Sequence, residues 1–73
     1  MSDFNGWKNR ATWNVALWLG NDEGLYRVAQ KARSYSQLIT WLKASGITHT
    51  PDGTAYADKR VSRKEMNEML KEL

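Results

Sequence analysis

Thr12-Trp13-Asn14-Val15-Ala16-Leu17-Trp18-Leu19 is the stretch whose reading decides the fold. Only Thr12 and Asn14 are polar. At helical spacing Trp13, Ala16 and Leu17 point one way, and Val15, Trp18 and Leu19 point another. A surface helix shows one apolar stripe, whereas a helix apolar on most of its faces is enclosed by other elements. The stretch is too short to cross a bilayer, which needs about 20 residues. It reads as the central helix of a small bundle, with the rest of the chain packed around it.

Working outward, Asn9 is placed to cap this helix, which the spacing predicts from Arg10 to Leu19, ending before Gly20. Asn21 or Asp22 caps a second helix with the stripe Leu25, Val28, Ala29 and Ala32. Arg27, Lys31 and Arg33 fall on its solvated side or at its end, and Tyr26 lies off the stripe. Ser34 and Gln37 form a capping box for a third helix, whose stripe is Tyr35, Leu38, Ile39 and Leu42, with Trp41 alongside Leu38. Gly46 supplies the left-handed residue after its end.

Thr50-Pro51-Asp52-Gly53 reads as a type I turn followed by a glycine, within an ordered loop of hairpin tendency pinned by Ile47 and Tyr56. Beyond it, Ser62 and Glu65 form a second capping box, and Val61 and Met66 match a hydrophobic staple. The last helix then presents Met66, Met69, Leu70 and Leu73 on one face, opposite Glu68, Lys71 and Glu72. On the other side of the deciding stretch, Phe4 and Trp7 flank the tight turn Asn5-Gly6 and are expected to fold back over the bundle end.

The expected architecture is all-α: a small bundle of three to four short helices with a turn or hairpin-like loop before the C-terminal helix. A chain of 73 residues is at most one domain. It divides into an arm over 1–8, a three-helix core over 9–46, a turn-rich loop over 47–61 and a helix over 62–73. The core is expected to depend on Val15, Leu17, Trp18, Ile39 and Leu42. A domain this small buries only about 60% of the surface its unfolded chain exposes. There is no cysteine to staple it, so four tryptophans, three tyrosines and a phenylalanine must supply the buried area. The lack of cysteine fits a reducing compartment.

The formal charge of +3 and pI near 9.5 favour acidic partners, but the excess is too dispersed for a nucleic-acid-binding stripe. No signal peptide, apolar span or lipidation motif stands out, which sets a soluble intracellular protein as the expectation.

For catalysis the residues offer little. His49 is the only histidine, there is no thiol or motif-placed serine for it to activate, and no glycine-rich phosphate loop or metal-ligand set is present. No enzyme activity, metal or cofactor is expected. The second and third helices allow an alternative, a small helix-turn-helix DNA-binding regulator. Arg33 stands where that motif usually has glycine, however, and of Ser36, Gln37, Thr40 and Lys43 on its reading helix only Lys43 is charged. A basic cluster, Lys59, Arg60, Arg63 and Lys64, opens the last helix, where cations oppose the helix dipole. Ordinary solvation accounts for it, with an acidic partner or phosphate as the functional reading.

The run TWNVALWLGNDEGLY, residues 12–26, resembles short proteins carried by tailed bacteriophages. In length, in its TPDGTAY segment at 50–56 and in its capped C-terminal segment, the whole chain is similar to the small RNA-polymerase-binding transcription regulators of lytic Xanthomonas bacteriophages. The resemblance implies a mostly helical fold and a protein that binds bacterial host RNA polymerase at the N-terminal region of its beta-prime subunit. It further implies inhibition of sigma-dependent initiation and reduced termination, in the host bacterial cytoplasm. A monomer is expected, with no membrane partner and with DNA contacted only indirectly. The resemblance carries no residue roles. Interface chemistry itself favours aromatic and arginine anchors that the fold does not consume. On that ground Phe4, Trp7, Trp13 and Tyr26 are the candidate partner contacts, with Arg10 and Arg27 flanking them with charge.

Overall fold

A computed structural model describes residues 6–73, and the fold it shows is all-helical. Helix α1 (Arg10–Asn21) begins where Asn9, in extended backbone, accepts the Thr12 amide on its Oδ1 at 2.9 Å. The helix does not stop at Leu19: it continues through Gly20 and Asn21 and closes only at Asp22. Asp22 then serves two helices. Its backbone N–H donates to the Trp18 carbonyl at 3.0 Å, while its Oδ1 accepts the Leu25 amide at 3.0 Å and opens α2 (Glu23–Lys31). With the Trp18 carbonyl near its end satisfied by the Asp22 amide, α1 closes without a glycine stop.

Helix α3 (Tyr35–Ala44) and helix α4 (Arg63–Lys71) start at the two capping-box serines, which accept from the Gln37 amide at 3.1 Å and the Glu65 amide at 3.2 Å. The reciprocal halves of both boxes go elsewhere. Gln37 Oε1 accepts from the Arg33 amide at 2.8 Å, one residue ahead of its own cap, and Glu65 Oε1 accepts from the Lys8 amide at 2.9 Å, which holds the arm. The Ser62 amide, released from Glu65, donates instead to Thr12 Oγ1 at 2.9 Å. Capping residues thus become tertiary ties.

Helix α1 packs on α2 and α4, and α3 packs on α4. The second and third helices therefore find their main partners elsewhere rather than in each other, unlike the pair of a helix-turn-helix. Ser36 and Thr40 are also engaged, Ser36 Oγ accepting from Arg63 at 2.9 Å and Thr40 Oγ1 donating to the Ser36 carbonyl at 3.1 Å. Between α3 and α4 the chain forms a loop with one isolated bridge, His49 to Ala55, and no strand among the described residues.

The core gathers Val15 and Leu19 of α1, Leu25 and Ala29 of α2, Tyr35, Leu38 and Leu42 of α3, and Met66 and Leu70 of α4, with Tyr56 and Val61 from the loop. The staple pair Val61 and Met66 is buried as its spacing predicts. Trp7 folds back and packs partly buried against this core, whereas Phe4 lies outside the described residues.

The expected core needs one correction. Val15 and Leu42 are buried in it, Trp18 and Ile39 are half-buried and pack against it, and Leu17 is half-buried and does not belong to it. The deciding stretch is partly inverted: its polar residues Thr12 and Asn14 are 0% and 2% exposed, while Trp13, Leu17 and Trp18 lie at the margin. The cause is hydrogen bonding. Thr12 Oγ1 contacts Asn9 Oδ1 at 2.8 Å and the Arg60 carbonyl at 3.3 Å, and Asn9 Nδ2 donates to that same carbonyl at 2.7 Å. A buried polar group costs little once it is paired, and Thr12 joins the starts of α1 and α4.

Replacing Thr12 by valine keeps the shape and removes the acceptor of the Ser62 amide. An orphaned buried donor costs about 1–3 kcal/mol. A small domain loses about 4–8 °C of melting temperature per kcal/mol, so Thr12→Val is expected to melt clearly lower. An unchanged melt would mean the network contributes nothing. Gly20 offers the opposite case: it lies inside a helix, without positive φ, and a Cβ there would meet nothing within 4 Å. Gly20→Ala is expected to raise stability by up to about 1 kcal/mol, read as a higher denaturation midpoint.

Candidate interaction surface

An open cleft of about 540 Å³ lies between α2, the end of α3 and the loop that follows. Leu25 and Val28 form one wall, Trp41 and Leu42 the other, and Ile47, Pro51 and Tyr56 close it from the loop. Asp22, Ser45 and His49 are the polar side chains on its border. A volume of this order lies within the range of ordinary binding pockets.

Local chemistry at the end of α3 aims Ile47 into position. Gly46 takes φ +80°, its amide donates to the Lys43 carbonyl at 2.9 Å, and the Ile47 amide reaches back to the Leu42 carbonyl at 2.8 Å. This paired closure is the Schellman arrangement, in which glycine carries the left-handed turn and the next residue makes an apolar contact. The loop is then held by its own hydrogen bonds, Tyr56 amide to Thr48 carbonyl at 3.0 Å and Thr50 amide to Thr54 carbonyl at 2.7 Å.

Helix α1 fixes this loop from behind. Thr50 Oγ1 donates to Asn14 Oδ1 at 2.7 Å, Asn14 Nδ2 donates to Asp52 Oδ2 at 2.8 Å, and the Trp18 indole donates to the same oxygen at 2.9 Å. Those two donors, Asn14 first, hold the Asp52 carboxyl below the usual aspartate range, and Arg10 adds a weaker pull the same way. Nearby, hydrogen bonds from Arg60 draw Asp58 down to about 2. Tyr35 Oη donates to the Tyr56 carbonyl at 2.7 Å. Burial pushes the Tyr35 hydroxyl well above the usual phenol range, partly offset by Arg63, whose guanidinium lies 5.7 Å over its ring.

Two features of the cleft stand out chemically. Trp41 and Ile47 on its rim, each 38% exposed, are the large apolar side chains that the described fold leaves in water. Tyr56 is 2% exposed, yet its hydroxyl is buried without a hydrogen-bond partner among the described residues. Burial, and then the Asp22 carboxylate, raise its pKa, so it stays a neutral donor.

The side chains that sequence reasoning selected are distributed differently. Trp7 borders a groove with Glu65, Glu68, Met69 and Glu72 of α4, and Arg10 borders another with Asn14, Asp52, Asp58 and Arg60. Trp13 is half-buried on α1, and Tyr26 half-buried on α2. Arg27 pairs with Glu23 at 3.0 Å, both well exposed, an arrangement of small energetic weight. None of these lines the apolar cleft. The basic cluster is partly engaged: Arg60 pairs with Asp58 at 3.0 Å, and Arg63 holds Ser36 and the Tyr35 ring.

Trp41, the residue this reasoning passed over, had one signal. Its helix already has Tyr35, Leu38 and Leu42 to face the core, which leaves a tryptophan beside the stripe unneeded for packing.

The fold and the cleft define a small all-helical protein with an open apolar recess rimmed by an exposed tryptophan and isoleucine. The chain belongs to DUF7249, a family of unknown function whose model matches residues 1–73. Comparisons with curated proteins and with solved structures gave no match. No described helix is long and apolar enough to cross a membrane, and no group of His, Asp or Glu among the described residues could hold a metal ion.

The Asp52 contact yields a pH test. A carboxyl whose folded pKa is depressed contributes its stability above the unfolded pKa and loses it as pH falls through the folded value. The Trp18 indole N–H resonance is therefore expected to hold through mild acid and shift only below the ordinary aspartate range. Asp52→Asn should remove that transition. A wild-type midpoint at or above the ordinary aspartate value would show that the loop is not held this way.

Proposed function

We propose that this protein is a phage-encoded binding module that attaches to bacterial host RNA polymerase at the N-terminal region of the beta-prime subunit. By occupying that site it inhibits sigma-dependent initiation and reduces termination, acting in the host cytoplasm as a monomer without enzymatic activity. The observation that carries the binding role is the exposure of Trp41 and Ile47 over the apolar cleft. Tryptophan anchors beside a recess are what protein interfaces use as energetic centres. The identity of the partner rests on the likeness of TWNVALWLGNDEGLY and the TPDGTAY segment to the phage regulators. The net charge of +3 supports it, since a basic protein is steered toward an acidic surface.

The DNA-binding alternative gains no specific observation, because α2 and α3 pack on different partners.

The test is binding to purified core polymerase without DNA, paired with a thermal melt for each variant. Trp41→Ala is expected to weaken binding by roughly 30-fold or more, as for an interface hot spot, with little change in melting. If Trp41→Ala binds normally while Trp7→Ala, Trp13→Ala or Tyr26→Ala bind weakly, the contact lies on the arm and the α1–α2 face, with Arg10 and Arg27 as its charged flank. Absence of polymerase binding, alongside salt-sensitive and sequence-selective DNA binding, would replace the reading with the DNA-binding one.

A further inference from the structure

We propose that the end of the molecule where α1, α3 and α4 begin is a basic surface that lies on the phosphate backbone of duplex DNA without reading its sequence. It is a second contact, separate from the Trp41 cleft and independent of the polymerase reading.

Along the chain the basic excess is dispersed, but the fold gathers it. The start of α4 sits between the starts of the other two helices. On one side the Ser62 amide donates to Thr12 Oγ1 at 2.9 Å, Asn9 Nδ2 to the Arg60 carbonyl at 2.7 Å, and the Lys8 amide to Glu65 at 2.9 Å. On the other, the Arg63 guanidinium donates to Ser36 Oγ at 2.9 Å and the Tyr35 amide to Asn67 Oδ1 at 2.7 Å. These ties bring Lys8 and Arg10 to the same end as Arg33, which precedes the Ser34 cap. Lys59, Arg60, Arg63 and Lys64 lie between them, and all seven bases are exposed. The acids near them are Asp58, Glu65 and Asp52, the last bordering a groove with Arg10 and Arg60. Seven bases against three acids give this end a net charge of +4, and the remaining four bases and five acids leave −1 for the rest of the chain.

Gathered in this way, the charge is a cost in the free protein. Cations beside helix starts oppose the dipoles, and like charges repel one another. Among the described residues only Arg60 of the seven is in an ion pair, with Asp58 at 3.0 Å. The side chains of Lys8, Arg33, Lys59 and Lys64 make no hydrogen bond or ion pair there. Because Asn9, Ser34 and Ser62 already cap the three helices, an anion is met by these side chains and not by open helix ends.

The kind of anion follows from what else is exposed. Protein interfaces centre on apolar and aromatic anchors and keep charge to the rim. The exposed large apolar side chains, Trp41 and Ile47, lie toward the opposite end of α3. Single strands are held by bases stacked on aromatic rings, yet Trp7, Trp13 and Tyr35 near this end are half-buried or buried. A duplex backbone asks only for cations, and that is what this surface offers.

The test titrates the full chain into two labelled DNA duplexes of unrelated sequence, followed by fluorescence anisotropy across a salt series. Both duplexes are expected to bind equally, and contact with roughly four phosphates gives a slope of log affinity against log salt of about −3.6. Lys59→Gln with Lys64→Gln should weaken binding roughly tenfold or more and flatten the slope by about 2. Its melt should stay level or rise, because charge that opposes the α4 dipole is removed. Lys43→Gln with Lys71→Gln makes the same change in net charge away from this end and should leave affinity and slope unchanged, as should Trp41→Ala.

Equal losses from the two double variants would show attraction by net charge alone and overturn the assignment. So would a marked preference for one duplex, tighter binding of the matching single strand, or loss of duplex binding in Trp41→Ala. Tighter binding of polyglutamate would overturn it too, making this end a surface for an acidic polypeptide. If polymerase does not bind but the duplex pattern appears, the basic surface stands and the polymerase reading falls. If polymerase binds and the duplexes do not, even at low salt, the basic-surface assignment alone falls.

Discussion

Two buried polar side chains on α1, Thr12 and Asn14, tie the first half of the chain to the second, and the rest of the structure depends on those ties. Thr12 accepts the Ser62 amide 50 positions away, and Asn14 accepts the Thr50 hydroxyl 36 positions away while donating to Asp52. Between these anchors runs a loop held by turn hydrogen bonds rather than by a helix or strand of its own. In a chain without disulfides, the buried amide and hydroxyl supply directional fixation that apolar packing cannot, because burial of apolar surface is not directional. The cleft follows from this: its loop wall stands where it does because Asn14 and Trp18 hold Asp52 behind it.

The helix ends repeat the same economy of parts. Each short helix leaves orphan amides at its start, and here many are satisfied by residues that also join elements. Asp22 closes α1 and opens α2. Asn67 of α4 accepts the Tyr35 amide at 2.7 Å, so one helix side chain caps another helix. Glu65 leaves its own cap to hold the Lys8 amide. For a domain with a small core, such links convert local signals into tertiary contacts at little cost in chain length.

Set against this tightly tied frame, the cleft is the part of the described surface where polar satisfaction and apolar coverage both remain incomplete. The Tyr56 hydroxyl lacks a partner, and Trp41 and Ile47 lack cover. Membership of DUF7249, a family of unknown function, puts no constraint on what covers the recess.

Most of the fold was legible in the chain. Helix starts at Asn9, Ser34 and Ser62, a second start at Asn21 or Asp22, the stop at Gly46, the staple of Val61 and Met66, and the all-α class all follow from residue spacing, because capping and periodicity act over a few positions. Tertiary structure alone decided which face of α1 lies inside. Thr12 and Asn14 read as exceptions in an apolar helix, and their burial depends on hydrogen bonds to residues 36–50 positions distant, a separation at which spacing carries no information. The same holds for Trp18, whose indole turns outward to Asp52, and for Trp41, left at a rim because the loop after Gly46 folds back toward α1 instead of covering it. Periodicity marks a side chain as apolar, but whether another element reaches it is settled only when the distant parts of the chain meet.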